Sequence, residues 1–169
     1  MTDNQNNIEN SAVVAQEVTN TAKEMDESVA AIFEGRNNIS RYKMREQAVL
    51  LSFERLFTDA DIDEIADNVM DSRDECYSDY AIETAKAIEE KLEEIDALIS
   101  AHLSKGWKLS RISRISLAIM RVAVYEMKNV AEVPVSVAIN EAVVLAKKYS
   151  VDDASFINGV LGAIAKELE

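Results

Sequence analysis

The stretch Tyr77–Leu103, YSDYAIETAKAIEEKLEEIDALISAHL, decides the fold class. Ala81, Ala85, Ile88, Leu92, Ile95 and Ile99 recur at alternating intervals of four and three, with acids between them. An α-helix turns once every 3.6 residues, so this spacing gathers the apolar residues into one stripe and leaves the carboxylates outside. It predicts a single long bundle helix over 77–103. Four glycines and one proline in 169 residues leave little material for hairpins or Gly-rich loops, and no stretch alternates with the period of a strand. The fold class expected is all-α.

Working outward, the same periodicity recurs on both sides. Ser40 is a candidate N-cap for a helix reaching about Phe57, with Tyr42, Val49, Leu50, Phe53, Leu56 and Phe57 on one arc. Arg41, Arg45, Ser52 and Arg55 fall together in the gap, which predicts a narrow exposed basic stripe. A helix over about 60–71 turns Ile62, Ile65, Ala66 and Val69 inward. Gly106 and Trp107 break the pattern, Leu109–Ile112 reads as a turn, and a helix follows over about 115–128. Pro134 suits the first turn of a helix over 134–149, and Asp152 or Asp153 can cap a last one over about 153–168. Residues 1–11 read as disordered and 12–34 as an amphipathic helix ending at Gly35.

The net charge of −13 speaks against nucleic acid only on average. Residues 57–104 hold fifteen acids against three bases, whereas Lys105, Lys108, Arg111, Arg114, Arg121 and Lys128 face only Glu126 within 105–128. Such segregation leaves room for an RNA-binding or acidic-partner surface. One cysteine, Cys76, cannot form an internal disulfide, and the lone His102 gives no Cys/His metal pattern. No phosphate-binding loop, HExxH or G-x-S-x-G motif is present, so an enzyme is not expected. Without an apolar run of membrane-spanning length or a signal-like start, a cytoplasmic location is expected. Asn140, Glu141 and Asn158 interrupt apolar runs, which suggests that they satisfy buried backbone groups or pair with Arg121. Gly159 and Gly162 in a helix suggest close approach of another helix.

Four blocks taken in order, SRYKMREQAVLLSF, AIMRVAVYEM, PVSVAINEAVVLAKKYS and FINGVLGAI, resemble the NusB family of bacterial transcription antitermination factors over about residues 40–167. The resemblance implies a NusB-like fold of two small helical subdomains, about 40–104 and 105–169, preceded by an acidic extension over 1–39. It implies a non-enzymatic protein, without cofactor or metal. Such a protein binds boxA-type nascent RNA together with the small-subunit ribosomal protein that acts as NusE. The pair joins other Nus factors on RNA polymerase and promotes read-through of ribosomal RNA operons. By the same resemblance Arg41, Lys43, Arg45 and Phe53 meet RNA from the first helix, and Asp153 and Phe156 meet it from the start of the last. Ser116, where an acid is usual, lies on the side that meets the ribosomal protein. No membrane association is expected, and the chain is expected to be a monomer or weak homodimer. A helical protein-interaction module without RNA binding is the alternative, and salt dependence separates the two, because phosphate contacts give a steep slope.

Overall fold

The computed structural model describes residues 39–73 and 76–168, and among them every regular element is helical. The expected disorder over 1–11 and helix over 12–34 lie outside the described residues. The α-helices are α1 (Arg41–Glu54), α2 (Ile62–Arg73), α3 (Asp79–Glu90), α4 (Leu92–Ala101), α5 (Arg114–Asn129), α6 (Val135–Tyr149) and α7 (Ala154–Leu168). Short 3-10 turns at Arg55–Phe57, Leu109–Arg111 and Val151–Asp153 join or extend them.

Local chemistry starts these helices where the sequence says it should. The Ser40 hydroxyl accepts from the Lys43 amide at 3.2 Å, and Ser78 does the same for Ala81. Asp61 and Glu64 form a reciprocal capping box: Asp61 Oδ1 accepts from the Glu64 amide at 2.9 Å, and Glu64 Oε2 from the Asp61 amide at 3.0 Å. Gln47 of α1 reaches across to accept from the Ser78 amide and to donate to the Cys76 carbonyl, which ties the start of α3 to α1. Gly106, at φ +89°, takes a left-handed conformation that a side chain would oppose.

The helix expected over 77–103 is two helices, divided at Lys91 (φ −107°, ψ 15°). The apolar stripe continues through the break but serves different neighbours on each side. Ala81, Ala85 and Ile88 of α3 pack mainly on α1, whereas Ile95 and Ile99 of α4 pack on α5 and α7. A straight helix could not serve both. At the centre lies α5, whose residues from Ser116 through Val124 are all buried, with α1, α6 and α7 against it. Neither Gly159 nor Gly162 is approached closely: a Cβ built on either meets nothing within 4 Å. The helix contact expected there is absent among the described residues. No described helix is long and apolar enough to cross a membrane.

Candidate nucleic-acid interface

Arg45 departs furthest from the single-helix reading. Its side chain is buried, and its Nε donates to both carboxylate oxygens of Glu126 at 2.9 and 2.8 Å while Nη1 donates to Glu141 at 3.2 Å. Tyr80 adds its hydroxyl to Glu126 at 2.5 Å, and burial, followed by that carboxylate, pushes the phenol well above its ordinary range. The expectation of an exposed Arg45 is corrected: α5 and α6 bring two acids to its face, and a wheel drawn for one helix contains neither. Ser52 is also buried, and Arg55 is held by Glu89 at 2.5 Å and by the Thr58 carbonyl at 2.7 Å. Only the start of the stripe remains open, at Arg41, with Lys43 exposed nearby outside it.

The pairing foreseen for Arg121 is corrected as well. It is bidentate on Asp96 at 2.8 and 2.7 Å; Glu141 goes to Arg45, and Asn140 and Asn158 are exposed. His102 bonds the Leu98 carbonyl and Glu167, so it serves the joint between α4 and α7.

At the other end of α1, Phe53 is half-buried and meets the Phe57 ring edge-on at 4.9 Å between centroids. Phe57, placed by periodicity on the inward arc, is 60% exposed and lies under the Arg114 guanidinium at 4.5 Å. The reason is local: the chain tightens to a 3-10 turn at Arg55, which rotates the last residues off the α-helical register.

Arg114 opens α5 beside its N-cap, Ser113, and there the chain gathers hydroxyls around one carboxylate. Asp153 Oδ2 accepts from Ser116 at 2.6 Å, Ser150 at 2.8 Å and Ser113 at 3.0 Å. The hydroxyls of Ser116 and then Ser150 hold the Asp153 carboxyl below its usual range against the opposing effect of burial. Ser116, expected on the side that meets the ribosomal protein, is itself wholly enclosed, with its hydroxyl committed to Asp153 and Ser150. Asp153 closes this cluster instead of capping α7 with its side chain.

Beyond Asp153, Phe156 is half-buried and stacks on Trp107 at 5.5 Å with 30° between the rings. Trp107 is 49% exposed. Around it Lys105, Lys108 and Arg111 are exposed and make no ion pair with any described residue. The sequence reading assigned no binding role to Trp107 or Phe57, although KGWKLSR carries the signal: an aromatic interleaved with cations. The surface thus offers ring faces for bases and exposed cations for phosphates, on a loop and helix ends fixed by the serine cluster.

The NusB family model matches residues 37–166. The transcription antitermination protein NusB of Acetivibrio thermocellus is 42% identical over 131 residues, which cover 76% of this chain and 90% of that protein. The solved structure of T. maritima NusB superposes with a TM-score of 0.66 at 33% identity, covering 76% of this chain and 92% of that one. A crystal structure of the antitermination factors NusB and NusE in complex with dsRNA contains a chain that superposes with a TM-score of 0.64 at 27% identity, over 76% of this chain and 99% of that chain.

Proposed function

This chain belongs to the NusB family, and from that premise we propose that it is an RNA-binding transcription antitermination factor that works with the ribosomal protein acting as NusE. The observation that carries the reading is the Trp107–Phe156 stack set among the exposed cations Lys105, Lys108 and Arg111, which pair with no acid among the described residues. Stacking on an aromatic face contributes about 1–3 kcal/mol per base, and unpaired cations release counterions when they meet phosphates. The relative solved with NusE and dsRNA supports the same pair of partners.

The RNA is boxA-type, bound in the cytoplasm as it leaves RNA polymerase with other Nus factors, and the result is read-through of ribosomal RNA operons. Arg41 and Lys43 extend the surface at the start of α1, and Phe53 supports Phe57 at its end. Asp153 acts through position, fixing the first turn of α7 so that Phe156 faces Trp107. Arg45 contributes from inside by holding α1 on α5 and α6.

With a net charge of −13, the isolated chain repels RNA at long range, and a basic ribosomal partner offsets that repulsion. Titrating a boxA-type RNA with and without the ribosomal protein, at several salt concentrations, tests the reading. It expects weak binding alone, tighter binding with the partner, and a steep salt slope in both. Binding of the ribosomal protein without any salt-dependent binding of RNA would identify a protein-interaction module instead.

A further inference from the structure

Glu46 lies one turn beyond Lys43 in α1 and is only 2% exposed. A buried carboxylate needs partners, and this one has three. Oε1 accepts from Lys148 Nζ at 2.5 Å and from the Tyr149 hydroxyl at 2.8 Å, and Oε2 accepts from Lys43 Nζ at 2.9 Å. Burial pushes the carboxyl up, but the bonds from Lys148, Lys43 and Tyr149 outweigh it and bring it down to about 2.

The lysines differ from their acceptor. Their side chains are about half exposed, 53% for Lys43 and 51% for Lys148. Exposed ion pairs usually hold two flexible side chains loosely. Here the acceptor is rigid and enclosed, so both ammoniums are tethered to a fixed point, and Lys148 also lies 5.2 Å from the Tyr149 ring centroid. An ammonium has three donors, and Glu46 takes one from each. The others remain available on two cations bonded to the two oxygens of one carboxylate, with their ordering largely complete before any ligand arrives. Two cations on one carboxylate leave a net positive site. That site adjoins the interface, because Tyr149 is followed by Ser150, whose hydroxyl bonds Asp153.

We propose that Glu46 is a positioning residue that sets Lys43 and Lys148 as a paired ammonium clamp for an RNA backbone phosphate, adding the C-terminal end of α6 to the RNA-binding surface. The clamp rests on the reading that this chain binds RNA. It reads no base, so it strengthens binding of any single-stranded RNA alike.

The test uses the full chain with the ribosomal partner, a boxA-type RNA and a scrambled RNA of equal length. Lys148→Gln is expected to weaken both RNAs by roughly tenfold, the size of one charge-assisted contact, and to reduce the salt slope by about one. Glu46→Gln makes the chain less acidic, so long-range electrostatics alone predict tighter binding; loss of the clamp predicts weaker binding. Unchanged binding by Lys148→Gln, or tighter binding by Glu46→Gln, overturns the clamp and leaves a purely structural staple between α1 and α6. If Glu46→Gln does not fold, Lys148→Gln decides alone, since its altered group is half exposed. Absence of salt-dependent RNA binding by the unaltered chain overturns the RNA reading, and the clamp with it.

Discussion

Arg45 in α1 and the cations around Trp107 carry the same charge in opposite circumstances. Arg45 faces Glu126 and Glu141 inside the bundle, whereas Lys105, Lys108 and Arg111 face no acid among the described residues. A count of basic residues treats the two regions alike. What separates them is whether the neighbouring helices present carboxylates, and that decides whether a cation maintains the fold or remains free for a ligand.

The largest effect expected from this contrast is on stability. Arg45→Ala leaves Glu126 buried with the Tyr80 hydroxyl but no opposing charge, and breaking one side of such a pair costs about 3–5 kcal/mol. Denaturant unfolding should show a midpoint far below that of the unaltered chain, with Lys108→Ala within about 0.5 kcal/mol of it. Comparable loss in both variants would erase the distinction between the regions.

RNA binding should respond in the reverse order. Trp107→Ala removes an exposed ring and is expected to lower RNA affinity by the worth of one stacked base, about 1–3 kcal/mol, while the melting temperature barely moves. Phe156→Ala should cost affinity and also some stability, because this ring packs partly against the core. Its stability loss should stay under the roughly 3–5 kcal/mol of a fully buried phenylalanine. An unaltered RNA isotherm for Trp107→Ala would remove the stack from the interface.

A smaller step comes from the exposed cations taken singly. Lys108→Gln and Arg111→Gln should each reduce the slope of log affinity against log salt by about one, with boxA-type and scrambled RNAs affected alike. A loss confined to one RNA sequence would mean that the residue reads a base edge.

The helices were legible in the sequence because their information is local. Ser40, Pro134 and the four-three spacings mark their ends and faces, and the observed bounds follow within a few residues. The break at Lys91 was not legible, since the apolar stripe runs through it and only the different neighbours of α3 and α4 explain it. Side-chain roles at the interface were legible in proportion to how little they depend on other helices. Arg41 is exposed as its arc required. Arg45 and Ser116 are enclosed by groups distant in sequence, such as Glu126 and Asp153. Phe57 and Trp107 owe their exposure to a 3-10 turn and a loop, where helical periodicity carries no information.

The smallest expected effect concerns the serine cluster, which links the two regions without being a cation itself. Asp153 is held below the ordinary value of 3.8 by Ser116 first, then Ser150, against burial, with Ser113 adding a weaker contribution. A carboxyl whose folded value is depressed adds stability above its unfolded value, and that stability is lost as pH falls through the folded one. Ser116→Ala removes the shortest of the three bonds and moves the folded value of Asp153 upward. The variant should therefore be less stable by about 1 kcal/mol at neutral pH, and the difference should shrink below pH 3.8 as Asp153 takes up its proton in both proteins. Denaturant midpoints for the two chains, measured from neutral pH down through that window, check the sign. A deficit that stays constant into acid would mean that Ser116 supports the cluster by filling space and not by stabilising the charge.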